Sequence, residues 1–324
     1  MSRTLEQIKA PIASELDAFE GHFREDLRSH VPLLDKIMYY IIRRKGKRVR
    51  PMFVFLSAGM SGQISPTTYR AASLIELLHT ATLVHDDVVD DIYERRGVFS
   101  INALWKNKIA VLVGDYLLSR GLLLALDNED YQILQIMSRA VKEMSEGELL
   151  QIEKTRNLDI TEAVYFDIIR QKTASLIAAS CAAGAASVTD NVELIETMRN
   201  FGEKAGLAFQ IKDDLLDYGD AEIGKPRGID IKEKKITLPL IHALNQADSG
   251  QRRQIIRTIK HHSDDAKKVR EVVDFVRSSG GIRHATETMC RLRDEAVEIV
   301  RQLPESPSRT SMEELIGFVT ERKK

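Results

Sequence analysis

Apolar residues recur at helical spacing along almost the whole chain, and no stretch alternates apolar and polar residues convincingly as a strand would. A β-rich fold also needs turn residues every few positions, and this chain has only 18 glycines and 8 prolines in 324 residues. The period predicts helices near 3–22, 32–43, 51–61, 66–92, 101–126, 129–156, 160–188, 190–218, 235–247, 251–262, 264–279, 281–302 and 309–322. Several are long for a globular domain and fit a large bundle. Pro32, Pro51 and Pro66 fall where a first helical turn tolerates proline. Residues 218–235, rich in glycine and charge, are the one internal break in the period. With no linker, repeat or low-complexity tract elsewhere, residues 1–324 read as one all-α domain, a single large helical bundle.

Composition narrows the function classes. Hydrophobic residues are 43% and charged residues 29%, globular proportions that exclude wholesale disorder. The 47 basic residues are balanced by 48 acidic ones, so no nucleic-acid partner is expected. Cys181 and Cys290 are far apart with no CxxC, which excludes a disulfide scaffold or zinc finger and suits a reducing compartment. The first residues are charged throughout, unlike a signal peptide. The uncharged run 173–189 is shorter than the ~20 residues a spanning helix needs, and its small side chains suit close packing inside a core. The expectation is a cytoplasmic protein with no transmembrane segment.

Two helices end in acid. In residues 77–91, LLHTATLVHDDVVDD, Asp86 and Asp90 stack one turn apart, with Asp87 and Asp91 beside them. In residues 209–220, FQIKDDLLDYGD, Gln210, Asp213, Asp214 and Asp217 share one stripe. Carboxylates at a helix C-terminus oppose the macrodipole and repel one another. Each cluster alone could be a solvated helix end. Two DDxxD spacings, each closing a long apolar helix, point to a hard cation that neutralises them, and magnesium takes oxygen ligands. The alternating loop of an EF-hand is missing from both.

Cations accompany the acids. Residues 43–51, RRKGKRVRP, hold six, Arg95 and Arg96 follow the first acidic cluster, and Lys172, Lys225 and Lys235 come later. A solvated basic loop would look similar, but arginine forks match phosphate oxygens. Acids for a metal and cations for phosphate, on an apolar helical cavity, describe a site for diphosphates with greasy tails.

GKRVRP, ELLHTATLVHDDVVDD, ERRG, VGDYLLSR, QKTASL, FQIKDDLLD and GK…KKITLPL occur in that order between residues 46 and 240. The chain resembles the trans-isoprenyl diphosphate synthases (polyprenyl synthetases), and most of all their long-chain type. It departs in having Lys45–Gly46 where many members carry two glycines, and VFSIN after ERRG where proline and threonine are common. The resemblance implies the isoprenoid synthase fold, a helical bundle around a deep cavity, in a homodimer. It implies magnesium-dependent head-to-tail condensation of isopentenyl diphosphate with an allylic diphosphate of geranyl or farnesyl type. Three metal ions would sit between Asp86, Asp87 and Asp90 on one wall and Asp213, Asp214 and Asp217 on the other. Lys47, Arg50, His79 and Arg96 would hold isopentenyl diphosphate. Arg95, Lys172, Thr173, Gln210, Lys225 and Lys235 would hold the allylic diphosphate, with Lys172 and Lys235 also counted among the catalytic groups. Asp91, Asp220 and His85 are left out of the metal set, with a supporting role open to His85. Residues 218–235 would close over the site and exclude water. Peripheral membrane contact would serve product release.

Product length follows from small residues. Four and five positions before Asp86 stand Thr82 and Ala81, about 6–7.5 Å down the helix axis. In the family an aromatic there stops growth early, and the two-residue insertion of many farnesyl-type enzymes is absent. The expected product is of the octaprenyl, heptaprenyl or solanesyl kind, a quinone side-chain precursor, with a lower floor near Leu123 or Leu124. The alternatives are a geranylgeranyl diphosphate synthase, a class I terpene cyclase, a phosphohydrolase or a non-catalytic synthase subunit. A cyclase would typically carry an asparagine-serine-glutamate second motif and lack GKRVRP. A hydrolase would need water in an apolar cavity, and a non-catalytic subunit tends to lose acidic motifs.

Overall fold

The structure, a computed structural model, describes residues 4–43, 48–95, 97–157, 161–219 and 229–321. Short α1 (Leu5–Lys9) and a 3-10 turn (Ala10–Ile12) lead into α2 (Ala13–Asp26), α3 (Pro32–Arg43), α4 (Val49–Ser61) and α5 (Pro66–Val89). All three prolines noted above sit in a first turn, and Ser65 forms a capping box ahead of Pro66.

The sequence signals no strand, but a two-residue antiparallel pair follows α5. In it β1 (Glu94–Arg95) meets β2 (Val98–Phe99), Glu94 opposite Phe99 and Arg95 opposite Val98. Gly97, at φ 75°, turns the hairpin, a local event too short for periodicity to register. The helices α6 (Ile101–Leu126), kinked at Lys106, and α7 (Tyr131–Asn157) come next.

The helix expected over 160–188 is divided. It consists of α8 (Glu162–Ile169), a π turn (Arg170–Ala174) and α9 (Ser175–Ala186). Every residue of 175–185 is buried, so this uncharged run is the centre of the bundle, packed by α4, α7 and α10. The remaining helices are α10 (Val192–Asp217), α11 (Ile229–Lys232), α12 (Leu238–Gln246), α13 (Ser249–His261), α14 (Ala266–Ser278), α15 (Gly281–Arg301) and α16 (Pro307–Glu321).

Two apolar clusters fill the interior. The larger spans α1–α7, α9, α15 and α16, and the smaller gathers α8 and α12–α15. The helix α10 runs through both: Phe201 and Ala205 lie in the first, Leu207 and Ile211 in the second. Its acidic end is flanked by Ile211 and Tyr218 of the smaller cluster. Among the described residues one helix, α6, is long and apolar enough to cross a membrane by length and composition, with a third of its most apolar window buried.

Candidate active site

Acid at a helix C-terminus needs its carbonyls satisfied some other way. At the end of α5 the chain does this itself. Asp90 is the C-cap, its N–H bonding Asp86 O at 2.8 Å, and Ile92 N–H returns to Asp87 O at 2.9 Å. Asp91 between them takes the left-handed conformation, φ 51°, which makes this a Schellman closure. Aspartate tolerates that region better than most residues, so the fourth acid of the cluster is a helix terminator. Asn102 at the start of α6 adds a bond to Asp87 O at 3.0 Å. Asp86 is half-buried and Asp90 exposed on one face, while Asp87, rotated inward, is 4% exposed.

The end of α10 repeats the pattern. Asp213 is exposed and Asp217 half-buried, while Asp214 is 6% exposed. Asp214 accepts from Tyr165 Oη at 2.6 Å on one oxygen and from Gln210 Nε2 at 2.9 Å on the other. Gln210 in turn accepts from Thr173 Oγ1 at 2.8 Å. Burial outweighs these donors and pushes the Asp214 carboxyl up to about 7. Asp230 on α11 is pushed up to about 8 by burial and then by Asp214 and Asp217, and its backbone N–H donates to Asp217 Oδ2 at 3.2 Å. The last carbonyls are capped from α14, where Arg277 Nη2 donates to Tyr218 O at 2.6 Å and Gly219 O at 3.1 Å.

The cations come from several elements. Lys172 and Thr173 sit on the π turn, a geometry that recurs at functional sites because it re-aims side chains within a helix. Two glycines let the turn approach its neighbours. A Cβ on Gly147 of α7 would lie 2.9 Å from Lys172 N, and one on Gly206 of α10 would lie 2.6 Å from Ala174 Cα. Lys172 pairs with Glu148 and reaches Gln151 Oε1 at 3.4 Å. Lys235 meets Glu233 at 2.5 Å and Asp230 at 3.9 Å. Burial works to lower its pKa, but Glu233, Asp230 and Asp90 together raise it. Lys235 also acts to lower Asp214, so one ammonium lies within electrostatic reach of both acidic ends.

Arg50 and His79 are half-buried, on the first turn of α4 and the middle of α5. Beside them Arg48 binds Glu76 at 2.8 Å and lies over the Phe23 ring at 5.2 Å, which fastens the start of α4 to α5. Arg95 is placed through its backbone, in the hairpin that follows the first acidic end. Lys47, Arg96 and Lys225 lie outside the described residues, as does most of the loop expected to close the site. His85 Nε2 lies 3.2 Å from Val111 O and 3.5 Å from Asp115, bonded to α6.

Of the residues assigned to product length, Ala81 is 3% exposed in the main core and Thr82 is half-buried, bonded to His79 O at 2.9 Å. Leu124 is half-buried and lines an open cavity of about 750 Å³ with Tyr69, Ser73 and the charged Glu15, Asp26 and Arg70, at the far end of α5 from Asp86. Leu123, one step of about 100° along α6 from Leu124, is 48% exposed.

Sequence reasoning missed Tyr165, Asp230, Glu148 and Arg277. Asp230 alone had a local signal, an acid between the glycine-rich break and the KKITLPL motif.

The donor set at the two ends is carboxylate oxygen, the chemistry of a hard cation. Burial, with neighbouring acids adding to it, drives Asp214 and Asp230 toward their protonated forms, and a bound cation would favour the ionised ones. Among the described residues no three acids, histidines or cysteines form a closed metal cage. Magnesium fits that arrangement, since it keeps water and substrate phosphate in its shell.

This bundle, with acidic ends on two helices, has the isoprenoid synthase fold. The chain belongs to the polyprenyl synthetase family, which it matches over residues 31–276, and it is a prenyltransferase. It is 36% identical to an all-trans-nonaprenyl-diphosphate synthase (geranyl-diphosphate specific) of Rhodobacter capsulatus, covering 98% of each chain. Among solved structures it is similar to a polyprenyl synthase from Caulobacter crescentus CB15 complexed with calcium and isoprenyl diphosphate. That match has TM-score 0.91 and 31% identity and covers 100% of this chain and 99% of the other. It is also similar to a geranylgeranyl pyrophosphate synthase from Bacteroides thetaiotaomicron, with TM-score 0.84, 37% identity and 98% of both chains covered. Family members are generally magnesium-dependent and act on isoprenoid diphosphates.

Proposed function

We propose that the protein elongates an allylic diphosphate of geranyl or farnesyl type with isopentenyl diphosphate, head to tail, to a long-chain all-trans polyprenyl diphosphate. The observation that carries this reading is the pair of acidic helix ends within electrostatic reach of one lysine, Lys235. Asp86, Asp90, Asp213 and Asp217 are the accessible acids, and they hold the metal; Asp87 and Asp214 back them from inside the bundle. Magnesium, three ions per site, supplies charge stabilisation at the leaving oxygens when bound. Lys172, Thr173, Gln210, Lys235, Arg95 and Lys225 hold the allylic diphosphate. Lys47, Arg50, His79 and Arg96 hold isopentenyl diphosphate so that its double bond faces the allylic carbon. The proton lost after bond formation goes to the departing pyrophosphate.

The tail runs from Ala81 and Thr82 down α5 toward the cavity beside Leu124. The exposed apolar residues Leu104, Leu112, Leu123 and Leu126 of α6 support a homodimer through that helix. The enzyme is cytoplasmic, with membrane contact at product release. A geranylgeranyl product is the second reading, favoured by the Bacteroides neighbour.

Purified protein given magnesium, labelled isopentenyl diphosphate and farnesyl diphosphate should build products of roughly six to ten isoprene units, sized by chromatography, from the space left at the small residues one helical turn below Asp86. Wild-type products ending at twenty carbons would establish the second reading, and no incorporation would remove both. Ala81→Phe should shorten the products with condensation preserved; an unchanged distribution would remove Ala81 from the tail's path.

A further inference from the structure

Tyr165 contributes to no role assigned so far, yet its hydroxyl bonds directly to one of the α10 acids. The side chain is 3% exposed on α8, held edge-on to Phe166 with ring centroids 5.5 Å apart. Its Oη donates to Asp214 Oδ2 at 2.6 Å, while Gln210 occupies Oδ1 and itself accepts from Thr173. The bonds form one line across three elements: α8, α10 and the π turn. Two of its members, Gln210 and Thr173, belong to the proposed allylic diphosphate site. A third, Asp214, lies one residue from Asp213 and three from Asp217.

A buried carboxylate with both oxygens occupied cannot turn toward a cation without breaking a bond inside the core. Tyr165 supplies a neutral donor to a buried carboxylate. Without its hydroxyl, Asp214 Oδ2 would lose that donor where Asp217 and Asp230 already crowd.

We propose that Tyr165 is a positioning residue of the second metal-binding wall, acting through Asp214 and Gln210 on the accessible acids and on Thr173. This rests on the two-wall reading above. It assigns to a residue outside every recognised motif control over the metal and the allylic diphosphate, with none over isopentenyl diphosphate.

The test is Tyr165→Phe in the full-length protein, which removes one oxygen and keeps the ring. Calorimetric titration of magnesium with inorganic pyrophosphate should show binding weakened about five- to tenfold, the scale of one buried hydrogen bond. In steady state the magnesium needed for half-maximal rate and the KM for farnesyl diphosphate should rise together, with the KM for isopentenyl diphosphate within about twofold of wild type. A fall in Tm with unchanged pyrophosphate binding would reduce Tyr165 to a packing residue. An equal rise in both substrate KM values, or no change in any readout, would also overturn the proposal. The pyrophosphate titration needs no turnover, so the proposal can fail while the wild type elongates, and a wild type that binds pyrophosphate without elongating would fail the reading beneath it instead.

Discussion

The two acidic helix ends carry the same DDxxD spacing and are held by different means. The α5 end is closed by its own chain: Asp91 in the left-handed conformation, Ile92 bonding back to Asp87, and Asn102 from the next helix. The α10 end is closed by residues far away in sequence, Tyr165 on α8 and Arg277 on α14, with Asp230 packed alongside. The first needs little beyond local chain geometry to form. The second exists only once the smaller core around α8 and α12–α15 has assembled. One wall is therefore set locally, and the other reports the state of the fold.

The largest effects should come from the accessible acids, where the two ends ought to behave alike. Asp86→Ala and Asp213→Ala should each lower turnover by about a hundredfold or more, the scale of removing one transition-state charge stabiliser. Both variants should remain folded, because trimming a carboxylate at a helix end opens no cavity. Retained activity in one variant alone would make the site one-walled.

The ends should part company in stability. Arg277→Ala removes two bonds from a charged donor to the end of α10 and should cost about 1.5–3 kcal/mol. Asn102→Ala removes one neutral bond and should cost about 1 kcal/mol, since the Schellman closure remains. Denaturant melts giving equal losses would contradict the contrast between local and distant closure.

The ends should also differ in pH dependence. Asp214 and Asp230 are pushed up to about 7 and about 8 in the folded protein from a starting value of 3.8. Between those values the native state holds protons that the unfolded chain has released, so stability falls as pH rises from about 4 to about 8. Metal-free protein should melt at a lower temperature at pH 8 than at pH 6. Magnesium with pyrophosphate should raise Tm more at pH 8, where the carboxylates are ionised. A flat or opposite trend would mean that these acids are screened in the metal-free protein.

The legibility of the molecule divides along the same line. Helical period and the two acid spacings could be read directly, because each depends on residues within a few turns of one another. The inward rotation of Asp87 and Asp214 also follows from helical phase, although the sequence alone did not show how far each is buried. The π turn under Lys172 and Thr173 was invisible, since it shifts the register by one residue inside an otherwise regular apolar pattern. Tyr165 lies 49 residues from Asp214 and Arg277 lies 59 from Tyr218, and nothing local marks either partner. Leu123 and Leu124 stand one step apart on α6, the first exposed and the second half-buried, and composition alone does not give that phase.

The most direct test of a metal site shared by both ends is calorimetric titration of magnesium with inorganic pyrophosphate into wild type, Asp86→Ala and Asp213→Ala. If one metal–diphosphate cluster is held from both ends, the two substitutions should weaken binding to a similar degree. Wild-type binding in either variant would contradict the two-wall site.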